Sequence, residues 1–535
     1  MLAKCRLRKY KSRHMMKKIS YLLTSLLLSA AAFGSIEMPS IFSDNMMLQR
    51  NKPVKFWGKA KPNATVKVEF AGQSKSTTAD KSGLWSLNLN PLKASTELRK
   101  ISIYENGKLD KTINGVLVGE VWFTGGQSNM ELSVKNTDNL NDALARGKYP
   151  TIRYFNQNAA SVSKEPLFDA KKDKYAPYWQ MPNGKNIANM NAVAFYFAEA
   201  LNDDLSVPIG IIKSALGATR MSCWVDKETI GKVESFKIDQ KTLDDALKNF
   251  DYERDFPIWQ KARKEYDQAL AKFKKGEGKK PRNSEYLAYM PIPESPFSYR
   301  GMPTGCFNAV VAPFAGYTVR GFLWYQGEGD AFGYRVKSFE KAFTSLIDCW
   351  RSHWGDKTLP FYFVQLTAHN RSTAQWGDAR FAQYLVSQHV KNTNMAVTID
   401  LGMKEEIHPP YKKPIGIRLE KLVLKEVYGV KNLNPYFPKF KSVSADGDDI
   451  KITFETYGKK LECKGKPRGF EILVGKKWIK PKKAEFKDNA VVLTDPKACD
   501  AKTVRYLWES WCGDDVCIFA DDGLPAMPYK MDIDN

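Results

Sequence analysis

The stretch "VWFTGGQSNMEL", Val121 to Leu132, passes from an apolar run through two glycines to a serine. Two readings of Ser128 arise from the same residues. Ser128 and Glu131 have the S-x-x-E spacing of a capping box, in which each side chain satisfies a free backbone N–H of the first helical turn. A serine between a strand and a helix is also where several hydrolase folds place a nucleophile, although Met130 stands where the G-x-S-x-G elbow has its second glycine. Either way the segment reads as strand, tight turn and helix.

That unit recurs on both sides of it. Apolar runs at 116–124, 151–156, 208–214, 319–325, 360–367 and 395–401 read as strands. Amphipathic periods at 129–146, 190–204, 334–353, 376–391 and 413–428 read as helices between them. Strands alternating with helices specify a mostly parallel α/β sheet. Before it, residues 35–114 carry short alternating runs broken by Pro, Asn and Gly ("VKFWGKA", "TVKVEFAG", "WSLNLNP"), the rhythm of a small β-sandwich-like domain. After it, from 431 to 535, the β rhythm returns ("DIKITFETYG", "AVVLTD", "VRYLWESW"). The α/β region then spans 115–430, interrupted at about 226–290 by a charged stretch of helical period that reads as an insertion over one face.

At 535 residues the chain exceeds what one hydrophobic core organises, which agrees with several domains. The formal net charge is +23, but residues 1–34 hold eight Lys or Arg and no acid, leaving +15 without them. Those residues read as a signal peptide: Lys17-Lys18, the apolar "ISYLLTSLLLSAAAFG", and an Ala30-Ala31-Ala32 cleavage site, with Met15 or Met16 as alternative starts. The apolar run is shorter than a membrane span, and no later segment is long enough. The expected product is exported and soluble. Its remaining lysines are scattered, with crowding in "KGKPRGFEILVGKKWIKPKK" and no nucleic-acid motif, so a solvated basic face is expected. Seven cysteines follow residue 34, with Cys512 and Cys517 the closest pair in sequence, and no Cys/His arrangement has zinc spacing.

Ligands of an open α/β sheet bind at the carboxyl ends of its strands. The expected strand ends carry Gly125-Gly126-Gln127-Ser128-Asn129, Gly217 to Arg220, Gln326-Gly327-Glu328-Gly329-Asp330, His369-Asn370, and Asp400 with Glu405, Glu406 and His408. A serine, histidines, carboxylates and glycine-rich turns at one edge are what acyl transfer needs: nucleophile, base, orienting acid and oxyanion donors. Four histidines follow residue 34. His353 and His389 lie on or at the ends of helices and read as structural or solvated. His408 is preferred over His369 as base, because Pro409-Pro410 and a following helix anchor its loop. Trp122, Trp224 and Trp324 lie near these loops and read as core or as a sugar platform.

"GGQSNMEL", "WYQGEGD" and "DLGMKEEIHPPYKKPIGIRL", in that order, resemble the sialate O-acetylesterase family of the SGNH hydrolase superfamily. The likeness extends over about 36–225 and 300–430, with a weaker echo in "VRYLWESW". It implies a three-layer, flavodoxin-like parallel-sheet core flanked by β domains, no cofactor, no metal, and an O-acetylated sugar as partner. It implies that Ser128 attacks the acetyl carbonyl and that His408 carries the proton to the departing hydroxyl. The oxyanion donors it implies are the N–H of Ser128, an N–H near Gly217 and the side-chain amide of Gln326. The third member is open between Glu328, slightly preferred, Glu406, Asp400 or none at all.

The expected function is a secreted carbohydrate O-acetylesterase acting on sialic acids. Alternatives on the same scaffold are an acetylxylan or other hemicellulose acetylesterase, a non-catalytic glycan-binding protein, and an esterase for lipids or thioesters. The second would have lost the serine or histidine, and neither is lost. The third would favour a more apolar mouth than Arg220 and Glu328 suggest.

Overall fold

The computed structural model describes residues 36–156, 162–170, 178–279, 281, 301–371 and 373–534. The signal-peptide expectation, and residues 282–290 of the expected insertion, lie outside the described residues. The N-terminal part builds β1 (Met47–Gln49), β2 (Val54–Lys59), β3 (Thr65–Phe70), β4 (Gln73–Thr78), β5 (Leu84–Leu89) and β6 (Ser95–Glu105). In β2 and β5 alternate residues are buried and solvated, as expected where one face of a strand packs on a core. The next strand, β7, runs unbroken from Lys108 to Gly126. Its first half pairs antiparallel with β6 and its second half enters the central sheet, so the expected boundary at 114/115 falls inside one strand.

The central sheet continues with β8 (Ile152–Asn156), β9 (Trp179–Gln180), β10 (Ile209–Ala215), β11 (Gly321–Tyr325), β12 (Phe361–Val364) and β13 (Thr393–Ala396). Its order is β13-β12-β11-β7-β10-β8-β9, and every pair but β8–β9 is parallel. The core is therefore a mixed α/β architecture with further β-sheet at both ends of the chain. β10 and β11 are buried almost throughout, because both faces of a helix-covered parallel sheet are covered.

Alternate strand residues supply the two faces. Trp122, Leu323, Tyr325, Tyr362 and Val364 pack with α3 (Ala192–Leu205) and α11 (Lys412–Glu426), which follow α1 (Ser128–Glu131) and α2 (Leu140–Ala145) in the helix order used here. Phe123, Phe322, Trp324, Phe361 and Phe363 pack on the other face with α9 (Phe339–Trp354) and α10 (Trp376–His389). Trp122, Trp224 and Trp324 are fully buried and are core, not a sugar platform.

The helix expected over 129–146 is interrupted. After α1 the chain turns extended at Leu132 and is tied to the start of α3, with Ala192 N–H donating to Leu132 O at 2.8 Å and Val134 N–H donating to Met190 O at 2.9 Å. The strand expected to reach 401 ends at Ala396, and Ile399–Leu401 is a 3-10 turn. The charged stretch from 226 forms α4 (Lys227–Ile230), α5 (Glu234–Lys248) and α6 (Tyr252–Lys274). It is anchored by the buried Asp239, which accepts hydrogen bonds from Ser222, Tyr334, Arg335 and Arg220. α7 (Gly305–Val310) and α8 (Gly333–Lys337) complete the helices described.

The C-terminal part holds β14 (Lys439–Asp446), β15 (Asp449–Glu455), β16 (Leu461–Cys463), β17 (Phe470–Val474), β18 (Lys477–Ile479), β19 (Lys483–Lys487), β20 (Ala490–Thr494), β21 (Ala501–Tyr506), β22 (Ile518–Ala520) and β23 (Tyr529–Asp532). Two four-stranded sheets, β14-β15-β20-β19 and β18-β17-β21-β23, meet over Phe440, Phe470, Tyr506 and Tyr529. The fully buried Arg380 of α10 joins this domain to the core, donating to Leu507 O, Glu509 O and Ser510 O at 2.8–3.1 Å. All seven cysteines described are free thiols. Cys463, rather than Cys512, neighbours Cys517, and burial together with that neighbour pushes the Cys463 thiol up to about 11.

Candidate active site

The sheet register brings the expected residues to one edge. Gly126 of β7 lies level with Ala215 of β10 on one side and Tyr325 of β11 on the other, so the turns after all three strands start together. Gly126 has φ +138, and a Cβ there would stand 2.2 Å from Tyr325 O, so only glycine allows this exit from the sheet. The chain then enters α1, whose first residue is Ser128.

Ser128 therefore starts the helix without capping it. The N-cap is Gln127 and no side chain bonds the cap, which corrects the capping-box expectation. As the first helical residue, Ser128 has a backbone N–H with no intrahelical acceptor, and it makes no other backbone hydrogen bond among the described residues. Glu131 reaches across to the next turn and accepts the N–H of Gly217 at 2.7 Å. A Cβ on Gly217 would lie 3.3 Å from Ser128 Cβ and 2.9 Å from Glu131 Oε2. Gly217 thus packs against the Ser128 side chain, and its N–H is already engaged by the Glu131 carboxyl oxygen.

Gln326 is buried nearby, with its amide committed elsewhere. Nε2 donates to Thr219 O at 3.3 Å and to Asp330 Oδ2, while Asp330 also accepts Met221 N–H at 3.0 Å. Together they knit the turn after β11 to the turn after β10. Burial pushes the Asp330 carboxyl up to about 6. For Gln326 to serve an oxyanion, one of these bonds must be released.

Asn129 is the hub that ties the serine turn to the histidine loop. Its Nδ2 donates to Glu328 Oε1 at 2.6 Å and to Ile407 O at 3.0 Å, and its Oδ1 accepts Lys412 Nζ at 2.7 Å. Because Ile407 precedes His408, this bond places His408 beside the Ser128 turn. Lys412, the first residue of α11, is fully buried, and burial brings its ammonium down to about 7 against the opposing pull of Glu328 and Glu406. Glu328 is also buried; burial raises its carboxyl above the usual range while Asn129 and Lys412 pull it down.

His408 is about one-third exposed, and its Nδ1 lies 3.5 Å from Glu406 Oε1, which also accepts the His408 backbone N–H at 2.8 Å. Burial holds the imidazole below its ordinary value, with Glu406 pulling up and Lys412 pulling down. Of the three candidate acids, Glu406 is the one in ion-pair contact with His408. Glu328 is bound to Asn129 instead, and Asp400 forms a two-pronged pair with Arg418 at 2.6 and 2.7 Å. His369 is held at the loop's other side, Nδ1 at 3.3 Å from Met403 O. His353 pairs with Asp226 and His389 with Glu340, both away from this edge.

Lys412 was not singled out by the sequence. It lies in "HPPYKK" beside a second lysine, among 82 basic residues, and only the fold shows that it is one of the few that are buried.

Residues 299–419 match a family model described as carbohydrate esterase, sialic acid-specific acetylesterase. The chain is similar to the sialate O-acetylesterase of Mus musculus, at 27% identity over 92% of this chain and 94% of the relative. It is likewise similar to that of Homo sapiens, at 25% over 92% and 91%. Among solved structures it is similar to a carbohydrate acetylesterase from Xanthomonas citri, with a TM-score of 0.75 and 26% identity over 93% of this chain and 99% of the other.

Proposed function

We infer that this chain, a member of the sialate O-acetylesterase family, is a serine ester hydrolase that removes acetyl groups from O-acetylated sialic acids. The observation that carries the catalytic assignment is the Asn129–Ile407 hydrogen bond, which ties the Ser128 turn, packed on Gly217, to the loop bearing the His408–Glu406 pair. In the proposed reaction, Ser128 Oγ attacks the acetyl carbonyl carbon while His408 takes its proton. Glu406 steadies the imidazolium that forms. The negative charge gathers on the former carbonyl oxygen, which the N–H groups of Ser128 and Gly217 hold, Glu131 withdrawing from the latter as the oxyanion arrives. Collapse expels the sugar oxygen, which takes the proton from His408. Water then repeats the sequence on the acetyl-enzyme and releases acetate.

Lys412, Asn129 and Glu328 act through position in this account. They lock the serine turn to the histidine loop with charge-assisted bonds in a buried setting. The same reading takes the core as three layers of flavodoxin-like type, with helices on each side of one sheet. It takes the protein as exported after loss of residues 1–34, which the basic and apolar pattern of that segment supports. No helix among the described residues is long and apolar enough to cross a membrane.

The test is acetate release from O-acetylated sialic acid and from acetylated xylan, run beside Ser128→Ala. The reading expects turnover of the sialate and loss of it in the variant. Turnover of xylan alone would overturn the substrate, and turnover of neither sugar nor a simple aryl acetate would overturn the enzyme.

A further inference from the structure

A second feature lies beside the histidine loop, at the seam between the core and the C-terminal domain. The segment 403–408 that carries His408 is bonded to the segment 369–370: Asn370 N–H donates to Lys404 O at 3.0 Å, and His369 Nδ1 lies 3.3 Å from Met403 O. Directly beyond Asn370 a cavity of about 460 Å³ opens, lined by Asn370, Gln375, Trp508, Glu509 and Trp511 among others. Its volume is that of a small-molecule site.

The wall of this cavity is held rigidly. Arg380 grips the backbone carbonyls of Leu507, Glu509 and Ser510, and Ser510 O accepts the His369 N–H at 3.0 Å. Trp508 packs so closely on Gly377 that a Cβ there would stand 2.5 Å from the indole. Trp511 is held in a similar way, its ring packed on Gly513 and its indole N–H fixed to Asp514 at 2.8 Å, and like Trp508 it stays partly exposed, so an oriented aromatic surface remains open to solvent. An oriented aromatic face ringed by amide and carboxylate groups suits a pyranose, which is apolar on one face and hydroxylated at its rim.

Charge narrows the ligand. The cavity's one arginine, Arg505, is paired with Glu471 at 2.8 Å, whereas the side chains of Asp378 and Glu509 form no ion pair among the described residues. With Lys530 and Arg505 engaged over the Trp508 ring, the two acids facing the cavity favour a hydroxylated neutral pyranose over a carboxylated sugar.

We propose that this cavity is a glycan subsite that binds neutral sugar units joined to the acetylated residue, with Trp511 as its stacking platform. The proposal rests on the acetylesterase reading above. It makes the C-terminal domain part of substrate recognition, and it makes an oligosaccharide, not a free sugar, the better substrate. A wall already locked by Arg380 binds without an ordering cost.

The experiment compares the full chain with Trp511→Ala and Trp511→Phe on three substrates: an O-acetylated sialyl oligosaccharide with neutral hexoses, free O-acetylated sialic acid, and an aryl acetate. Binding of the deacetylated oligosaccharide is followed in parallel by isothermal titration calorimetry, which needs no turnover and no indole reporter. The expected result is a loss of tenfold or more in kcat/KM on the oligosaccharide for Trp511→Ala, carried by KM, with the other two substrates within twofold and Trp511→Phe largely restored. Oligosaccharide binding weakens in step. Equal values for all three proteins on the oligosaccharide, or unchanged binding, would overturn the subsite. If no sialate is turned over but the oligosaccharide binds through Trp511, the subsite stands and the substrate reading fails.

Discussion

Replacing Asn129 by alanine removes one side chain from the middle of the site and strands two buried ionisable groups. Glu328 loses its 2.6 Å donor and Lys412 its 2.7 Å acceptor, and both are buried where water does not replace the bond. Hydrogen bonds to charged groups are worth about 1.5–3 kcal/mol each. The Ile407 carbonyl loses its donor as well, a neutral bond of about 1 kcal/mol. The three share one hub and do not add in full, so a loss of about 3–5 kcal/mol is expected. At roughly 1.5 °C per kcal/mol for a domain of about 300 residues, the melting temperature falls by about 5–8 °C. Urea denaturation followed by tryptophan emission measures the first quantity and calorimetry the second. Activity should fall further than stability alone explains, because the histidine loop is released from the serine turn while the protein remains folded at 25 °C. A variant less stable by under about 1 kcal/mol, with kcat near that of the parent, would refute the hub.

Further outcomes follow from the same geometry. Gly217→Ala places a methyl 3.3 Å from Ser128 Cβ and 2.9 Å from Glu131; steady-state kinetics should show kcat down by roughly a hundredfold, the scale of one lost oxyanion donor, with KM changed less. Glu406→Gln should lower kcat/KM by about tenfold or more, given that its contact with His408 is partly solvated, whereas Glu328→Gln should act mainly on the melting temperature; the reverse ranking would make Glu328 the orienting acid. The pH profile of kcat/KM should climb through a midpoint below about 6.5, the ordinary histidine value, since burial favours the neutral imidazole that acts as base and activity is lost as His408 protonates. Glu406→Gln removes the anion that raises that midpoint, so the profile should move to lower pH; a wild-type midpoint above 7 contradicts the reading.

Much of this is legible in the sequence. Parallel strands buried on both faces announce themselves as apolar runs, and the turns at their ends could be read by position. The local pattern misled at α1. The capping box at Ser128 and Glu131 was a genuine spacing, yet Glu131 found the Gly217 N–H on a neighbouring turn, a partner 86 residues away in the chain. The helix expected to run on to 146 gave way for a similar reason, because Leu132 and Val134 pair with the start of α3. Among the acids, spacing alone left Glu328, Glu406 and Asp400 open. The fold adds their partners: Arg418 pairs with Asp400, Asn129 bonds Glu328, and Glu406, two residues from His408, lies 3.5 Å from its ring. Lys412 was invisible because a buried lysine carries no local signature.

The account stands on Ser128 as nucleophile with His408 as its base. An aryl or alkyl fluorophosphonate reports this directly, since it bonds to an activated serine and stays there. Mass spectrometry of the digested protein should find one adduct, on the peptide "GGQSNMEL" at Ser128, with labelling slowed strongly in His408→Ala and absent in Ser128→Ala. Labelling at another residue, or acetate release by Ser128→Ala within tenfold of the parent, would contradict it.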